Sequence, residues 1–236
     1  MRIDLNADVG EMSGQDPALI PHVTSANVAC GFHAGDPSVM RETIVLAREY
    51  GVAIGAHPGF PDRASFGRSD VQLPPQAVQD MVVYQIGALA AIAAVEGLRL
   101  QHVKPHGALF NIAVRDRAVA DAIARATSAV DRSLILFGLP GSQLIAAGEA
   151  AGLRTAREAF ADRAYRPDGT LLPRTEPGAV IHDPAQVLER AIVMARDPNV
   201  DTICVHGDTP GAADLAARIR AALVAASIDV KPIGQP

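Results

Sequence analysis

The first strand predicted from this sequence carries side chains that could do chemistry. In "IDLNADVGE", residues 3–11, apolar side chains fall on one face of the predicted strand and oxygen-bearing side chains on the other. The polar positions are Asp4, Asn6 and Asp8, and Glu11 follows closely. Because a buried carboxylate without a partner costs on the order of several kcal/mol, the pattern predicts that other segments bring compensating groups to this face.

Polar residues recur at or near the carboxyl ends of the other predicted strands. They are Asn27 and His33 in "SANVACGFHAGD", His57 in "VAIGAHPGF", Lys104 and His106 in "HVKPHG", Glu158, Asp162 and Arg163 in "EAFADR", and His206 and Asp208 in "ICVHGD". In a parallel α/β barrel, ligands bind at the carboxyl ends of the strands. We therefore expect one polar chamber at the mouth of a barrel, where Lys104, Arg163 and any charged histidine partner the carboxylates.

These residue types suit hydrolysis or proton transfer on a small polar substrate. Carboxylates and neutral histidines can bind a divalent metal, and histidine can act as an acid or a base near neutral pH. A lysine in the same chamber can stabilise an oxyanion or bind a carboxylate. Only Lys104 and Lys231 are lysines among the 21 basic residues, so an internal lysine is an unusual choice here. Neither G-x-x-x-x-G-K-[ST] nor a G-x-G-x-x-G after a predicted strand occurs in the sequence, which excludes those two nucleotide-binding motifs.

Several other polar residues have simpler interpretations. Asp36 precedes a proline, so it is either a helix cap or part of the site. Asp4 lies deeper in its strand than Asn6, and structural and functional roles stay equally open for it. Cys30 could be a nucleophile near His33, but a thiol inside an apolar run is usually inert. We expect His102 at the opposite end of the barrel, and surface or capping positions for His22 and His182.

Composition limits the class of protein. The chain has 236 residues, 49% hydrophobic and 20% charged, with a formal net charge of -5 and no basic run, so neither nucleic acid nor an anionic membrane is an expected partner. Cys30 and Cys204 fit no zinc motif or disulfide framework. We see no signal peptide and no apolar stretch long enough to cross a bilayer, which predicts a cytoplasmic protein.

Strand and helix patterns alternate along the chain. The predicted strands are Arg2–Ala7, Ser25–Cys30, Val52–Ala56, His102–Pro105, Ser133–Leu139, Arg154–Phe160 and Thr202–Val205. The predicted helices are Val39–Tyr50, Pro75–Gly97, Arg115–Ala129, Ser142–Ala151, Ala185–Ala195 and Ala212–Ser227, with a weaker one over Pro17–His22. Asp36-Pro37, Asp183-Pro184 and Thr209-Pro210 each place a capping residue before a proline at a helix start.

This alternation predicts an α/β protein with a parallel sheet. We expect residues 1–236 to form a single seven-stranded (β/α) barrel domain, with an open doubly wound sheet as the alternative. The stretch "YRPDGTLLPRTEPGAVI", residues 165–181, breaks the alternation. It predicts a long loop or small hairpin near residues 164–181, and long loops at strand ends often carry function.

The sequence resembles the LamB/YcsF family in six ordered blocks: "IDLNADVGE", "SANVACGFHAGDP", "GVAIGAHPGFPDR.SFGR" (the dot is Ala64), "HVKPHGALFN", "FADRAYRPDGTLLPR" and "VHGD". The resemblance extends from Arg2 to about Ile228. It implies a seven-stranded (β/α) barrel of the glycoside hydrolase/deacetylase type. There is one departure: the resemblance leads us to expect a longer insertion just before "VHGD", whereas here "ARDPNVDTICVHGD" runs directly on. We expect this difference to alter a loop at the site or at a contact between subunits.

The resemblance also implies an activity and partners. It is hydrolysis of 5-oxo-L-proline to L-glutamate, coupled to ATP cleavage, in a complex with two further subunits, PxpB and PxpC. ATP would be a co-substrate of the complex, and the partners would supply the ATP chemistry because this chain lacks the two common nucleotide motifs. Whether a divalent metal takes part is left open.

Twelve residues receive roles from the polar pattern and the resemblance together. The predicted catalytic residues are Asp8, Glu11, His57, His106, His206 and Asp208, where Asp8 and Glu11 act as base or hold a metal and His206 pairs with Asp208. The predicted substrate-binding residues are Asn6, Asn27, His33, Lys104, Asp162 and Arg163. Two rival hypotheses are a stand-alone metal-dependent deacetylase or amidohydrolase, and a non-catalytic subunit that binds 5-oxoproline.

Overall fold

The computed structural model describes residues 1–207 and 211–234. Its strands are β1 (Arg2–Val9), β2 (Ser25–Ala29), β3 (Ala53–His57), β4 (His102–Val103), β5 (Ile135–Gly138), β6 (Arg154–Phe160), β7 (Thr202–Val205) and β8 (Asp229–Val230). Its helices are α1 (Asp16–Leu19), a 3-10 turn (Ile20–His22), α2 (Pro37–Glu49), α3 (Pro75–Val95), α4 (Gly107–Ala113), α5 (Arg117–Val130), α6 (Gln143–Ala150), α7 (Pro184–Ala195) and α8 (Ala212–Ala225).

The sheet closes on itself through β1. Strands β2 to β7 pair in chain order, and β1 pairs in parallel with β7 on one side and with β2 on the other. The predicted seven-stranded (β/α) barrel is thus confirmed, and the open doubly wound alternative is wrong. Register fixes the faces of β1: its apolar row, Ile3, Leu5, Ala7 and Val9, belongs to the buried hydrophobic core. The opposite row, from Asp4 to Asp8, therefore points into the lumen.

Two short elements escaped prediction. Strand β8 is only two residues long and pairs with Arg2 and Ile3, below the pairing of β1 with β2. Helix α4 follows His106 directly, where Gly107 has a φ of +52° and no side chain caps the first turn. Neither element has enough residues for a periodic pattern, so sequence periodicity could not reveal it.

Helix starts follow the predicted capping chemistry where the structure describes them. The Asp36 carboxylate accepts hydrogen bonds from the backbone N–H groups of Ser38 and Val39, which settles its role as a cap. The Asp183 carboxylate accepts one from Ala185. The predicted Thr209-Pro210 cap lies outside the described residues.

Helix α3 is the one helix in the described residues long and apolar enough to cross a membrane, with a mean hydropathy of 1.6 over its most apolar window. The expectation that no such stretch exists is therefore wrong. Its buried side chains recur at helical spacing and include Val82, Ile86 and Leu89. They pack in the core beside α5, as expected for a helix in the outer ring of a barrel.

The long segment between β6 and α7 folds back on itself. Isolated antiparallel bridges join Arg163 to Val180 and Tyr165 to Leu171. The Arg163 guanidinium donates to the carbonyl oxygens of Ala179 (3.2 Å) and Leu172 (2.6 Å). This segment is thereby tied to the carboxyl end of β6, beside the mouth of the barrel.

Candidate active site

The deepest lumen residue of β1 is held by hydroxyl groups. Asp4 accepts hydrogen bonds from Thr24 and Ser25 at 2.7 Å and from Thr202 at 2.5 Å. Burial raises the pKa of Asp4 to about 6, and the three hydroxyl hydrogen bonds counter only part of that shift. These contacts place Asp4 in a structural network that links β1, β2 and β7.

Two asparagines form the next layer. The Asn27 side-chain amide donates to Asn6 Oδ1 at 2.7 Å and to Asp8 Oδ1 at 2.8 Å, while Nε2 of His102 lies 2.7 Å from Asn27 Oδ1. The side chains of Asn6, Asn27 and His102 are all fully buried. The His102 ring occupies space that a Cβ on Gly55 would enter, at 2.2 Å. Asn6 and Asn27 lie beneath Asp8 and position it, and their predicted contact with a substrate stays a prediction.

Lys104 joins two buried carboxylates at the centre of the lumen. Its Nζ lies 2.8 Å from Asp8 Oδ1 and 2.9 Å from Glu158 Oε1, and 2.9 Å from the Sγ of Cys204. Burial alone would lower the pKa of Lys104, but Asp8, Cys204 and Glu158 together outweigh it and hold that pKa well above its usual range. Lys104 is therefore a permanent cation, the compensating charge that the polar face of β1 requires.

Asp8 is ionised, whereas burial favours the neutral form of Glu158. Burial would raise the pKa of Asp8, yet the charges of His57 and Lys104 keep it well below the usual range. Burial raises the pKa of Glu158, which Lys104 counters only in part. Glu158 was not among the predicted site residues, although its place at the carboxyl end of β6 could have marked it.

Three histidines surround Glu11 above this layer. His33 Nε2 and His106 Nδ1 each lie 3.3 Å from Glu11 Oε1, and His57 Nε2 lies 3.8 Å from the same oxygen. The rings of His33 and His106 stack at 3.8 Å. Burial lowers the pKa of His33 to about 3, so that ring is neutral. For His57, burial would lower the pKa but the charge of Asp8 raises it.

Across the mouth, His206 pairs with Asp162. Nδ1 of His206 lies 2.9 Å from Asp162 Oδ2, and the ring stacks on Phe160 with centroids 5.4 Å apart. Burial would raise the pKa of Asp162, but the charge of His206 lowers it. The described partner of His206 is thus Asp162, and the predicted partner Asp208 lies outside the described residues.

A cavity of about 370 Å³ opens above these groups. Its floor includes Asp8, Glu11, His57, Lys104, His106 and His206. Five arginines contribute to its wall: Arg68, Arg115, Arg163, Arg166 and Arg174. Burial and the charge of Arg174 lower the pKa of Arg163 to about 10. Acid–base groups at the floor and cations on the wall suit a small anionic substrate.

The chain is similar in sequence to known proteins over nearly its whole length. Residues 3–236 match the profile of the LamB/YcsF family. The chain belongs to this family. A relative from Methylococcus capsulatus, named as one of the subunits of 5-oxoprolinase, is 54% identical over 249 aligned positions, which cover 98% of this chain and 96% of the relative.

Solved structures place the LamB/YcsF barrel among known folds. The crystal structure of a lactam utilization protein from Thermus thermophilus is similar with a TM-score of 0.90 and 46% identity, covering 98% of this chain and 99% of that one. The peptidoglycan deacetylase PdaC from Bacillus subtilis is similar with a TM-score of 0.53 and 14% identity, covering 99% and 88%. The second likeness concerns the fold alone.

The side chains at this site could perform three different chemical roles in this LamB/YcsF member. His206, oriented by Asp162, can accept or give a proton at its other ring nitrogen. Lys104 can stabilise developing negative charge beside Asp8. Glu11, His33, His57 and His106 present ligand atoms within 4.8 Å of one another, which is close enough to hold a metal ion. Acid–base catalysis on a polarised carbonyl is therefore the chemistry that the geometry favours.

Proposed function

We propose that this chain is PxpA, the barrel component of an ATP-dependent 5-oxoprolinase, which hydrolyses 5-oxo-L-proline to L-glutamate with ATP cleavage. The observation that carries the proposal is the nearly full-length match, at about half identity, to relatives named as 5-oxoprolinase subunits. The Thermus thermophilus structure, named a lactam utilization protein, supports the same substrate class, since 5-oxoproline is a five-membered lactam.

The cavity suits this substrate in size and charge. 5-Oxoproline carries one carboxylate, and the arginine wall, which includes Arg163 and Arg174, supplies the opposite charge. With the carboxylate on that wall, the lactam carbonyl faces the floor, where Lys104 and the histidines lie. The other arginines of the wall thus share the substrate-binding role predicted for Arg163. We assign Lys104 to binding the lactam carbonyl, where the reaction takes place.

Ring opening needs one base and one acid. Water attacks the carbonyl carbon, the C–N bond breaks, one proton leaves the water and one reaches the ring nitrogen. We assign these transfers to His206 with Asp162 on one side of the cavity and to Asp8 on the other. Proton transfer of this kind contributes roughly 10²- to 10⁴-fold to the rate.

ATP enters through partner subunits in this proposal. Transfer of the terminal phosphoryl group of ATP to the lactam oxygen, with release of ADP, would make the carbonyl carbon a better electrophile. Attack of water and cleavage of the C–N bond would then leave an acyl phosphate, which a second water hydrolyses to glutamate and phosphate. Because the sequence lacks both common nucleotide motifs, we assign ATP cleavage to PxpB and PxpC, and the naming of the relatives as subunits supports a complex. A cytoplasmic location fits the need for ATP and the two free, buried cysteines.

The decisive experiment measures glutamate release from 5-oxoproline and ATP. Three mixtures are compared: this chain alone, PxpB with PxpC alone, and all three together. Activity in the complete mixture only is the expected result. Failure of the complete mixture, with each partner shown to be folded, would overturn the proposal. Oxoproline-dependent ATP hydrolysis by this chain alone would overturn the division of labour.

A second candidate function is favoured by the Glu11–histidine cluster. An ATP-independent, metal-dependent amidohydrolase or deacetylase would use such a cluster directly. Turnover of N-acetylated sugars or simple amides by this chain, without ATP or partners, would favour it. The non-catalytic alternative predicts that replacing His206, His57 and Asp8 leaves the activity of the complex unchanged.

A further inference from the structure

Four ligand atoms from four segments of the chain converge beside the cavity floor. They are Glu11 Oε1, His33 Nε2, His57 Nε2 and His106 Nδ1, and all lie within 4.8 Å of one another. Each of the four side chains is buried. For two of these rings, His57 and His106, a backbone carbonyl determines which nitrogen carries the hydrogen of the neutral form, and the nitrogen that faces the cluster is then a lone-pair donor.

The backbone determines which ring nitrogens carry hydrogen. Nδ1 of His57 lies 2.7 Å from the carbonyl oxygen of Lys104, and Nε2 of His106 lies 2.8 Å from that of Phe66. A carbonyl oxygen only accepts, so these two nitrogens carry the N–H groups. Phe66 has a left-handed φ of 55°, which places its carbonyl at this position at some cost in backbone strain.

The opposite nitrogens therefore present lone pairs to one another. His57 Nε2 and His106 Nδ1 are 3.0 Å apart, and His106 Nδ1 is 3.3 Å from Glu11 Oε1. Three acceptors at these distances repel one another. A proton on His57 relieves its contact with His106 but leaves the contact between His106 and Glu11 unrelieved. A cation at the centre of the cluster would attract all three acceptor atoms and remove the repulsion between them.

Two glycines make room for the rings. A Cβ on Gly59 would lie 2.6 Å from Nδ1 of His33, and one on Gly67 would lie 2.9 Å from Cδ2 of His106. Nδ1 of His33 has no hydrogen-bond partner among the described residues. The chain thus packs its backbone against these rings while their inner nitrogens face Glu11.

We propose that Glu11, His33, His57 and His106 bind one zinc ion. Three imidazole nitrogens and one carboxylate oxygen are donors that zinc prefers, in tetrahedral geometry. With zinc–ligand bonds of about 2.1 Å, the edges of such a tetrahedron are roughly 3.4 Å. Four of the six separations between the ligand atoms, at 3.0, 3.3, 3.3 and 3.8 Å, bracket that length.

A second group, Asp8, Cys204 and His206, is a poorer site. The Nζ of Lys104 lies 2.8 Å from Asp8 and 2.9 Å from the Sγ of Cys204, so its positive charge already occupies the position a metal would take. The charge balance also favours the first cluster. Glu11 has no lysine or arginine among its described ion-pair partners, whereas Asp8 has Lys104.

Four protein ligands would fill the tetrahedral coordination of zinc, so a zinc ion held here would serve to fix these four side chains beside the cavity floor. The four residues would bind zinc whether or not the chain is part of a 5-oxoprolinase. A measurement of metal content therefore separates its failure from failure of the proposed function.

The test uses the untagged full-length chain, since a histidine tag would itself bind zinc. Metal content is measured by mass spectrometry after purification, and the chelator-treated protein is titrated with zinc chloride while its thermal stability is followed. We expect one zinc per chain and a rise in melting temperature on adding zinc. Cobalt substitution should give the visible absorption of a tetrahedral site.

Variants locate the site. His33→Gln, His106→Gln and Glu11→Gln should each lower zinc affinity by more than roughly 100-fold, beyond the loss that removal of an outer-shell partner causes. His182→Asn, which removes an exposed histidine outside the cluster, is the matched control and should keep the wild-type zinc content. Circular dichroism checks that each variant is folded.

Two results would overturn the proposal. One is a wild-type chain that holds no zinc and shows no shift in melting temperature with zinc chloride, which would mean that a proton alone balances the cluster. The other is folded Glu11→Gln and His106→Gln variants that retain the full zinc content, which would place the metal elsewhere. If one variant does not fold, the cobalt spectrum of the others decides.

Discussion

Nδ1 of His206 lies 2.9 Å from Oδ2 of Asp162, and this contact joins the carboxyl end of β7 to the loop that follows β6. The carboxylate fixes the N–H of the ring on Nδ1, so Nε2 is free to exchange a proton with a substrate. Stacking on Phe160 holds the ring plane. The pair is thus oriented before any substrate arrives.

If His206 transfers a proton, its loss should slow turnover. His206→Asn should lower kcat of the reconstituted complex by roughly 10²- to 10⁴-fold. Asp162→Asn should also lower kcat, because an amide can donate to Nδ1 and thereby favour the wrong tautomer. Glutamate release is the measurement, with His182→Asn as the control. An unchanged kcat in both variants would assign the pair a structural role.

Removing an arginine from the cavity wall should weaken substrate binding but leave the rate of the chemical step nearly unchanged. Arg174→Ala deletes a guanidinium from the cavity wall. We expect KM for 5-oxoproline to rise by roughly 10-fold, the size of one charge-assisted hydrogen bond, with kcat little changed. Arg218→Ala, on the exposed side of α8, is the matched control. A fall in kcat at constant KM would argue against carboxylate binding there.

Removing the charge of Lys104 should lower the free energy of unfolding more than removing the charge of Glu158. Lys104→Met removes the buried cation that pairs with Asp8 and Glu158 and should cost about 3–5 kcal/mol in the free energy of unfolding. Glu158→Gln should cost less, since burial already favours the neutral form of Glu158. The double variant should lose less than the sum of the two. Urea unfolding measures all three, and strict additivity would contradict the coupling.

The buried Asp4 predicts a specific dependence of stability on pH. Its pKa is about 6 in the folded chain, against 3.8 for an ordinary aspartate. The folded state therefore binds the extra proton, and Asp4 makes stability fall as pH rises from about 4 to about 6. Relative to wild type, Asp4→Asn should gain about 3 kcal/mol between those limits. Unfolding curves across this range check it, and a pH-independent difference would contradict it.

A pair of glycine substitutions tests the packing of the lumen. Gly55→Ala puts a Cβ 2.2 Å from the His102 ring and should destabilise the chain by about 1–3 kcal/mol through overpacking. Gly87→Ala, on an exposed face of α3 with nothing within 4 Å of its Cβ, should stabilise it by up to about 1 kcal/mol. Thermal unfolding compares them. Equal effects would show that His102 can move aside.

Much of the site was predictable because it obeys a period of two. Asp4, Asn6 and Asp8 alternate with core residues in β1, and the same alternation marks Lys104 and His106. Closure of the barrel then brings the strand ends together. The alternation also covers Glu158, but nothing in "EAFADR" shows that this acid pairs with Lys104 from another strand.

The sequence did not predict contacts between site residues that lie in loops. His206 was paired with Asp208 on proximity along the chain, whereas the described partner, Asp162, is 44 positions away in another loop. Arg174 reaches the cavity because the segment after β6 folds back through two isolated bridges. Loop paths depend on such individual contacts rather than on a repeating pattern, so local propensity does not specify them.

The pairing of β1 with β7, which closes the barrel, also affects the order in which parts of the protein can fold. Strand β1 is synthesised first, yet Thr202, which binds both Asp4 and Asn6, comes almost last. During synthesis from the amino end, the acidic row of β1 remains without that partner until nearly the whole chain has emerged. Contacts this distant along the chain form slowly. The scaffold beneath the candidate active site is therefore among the last parts of the protein to be completed.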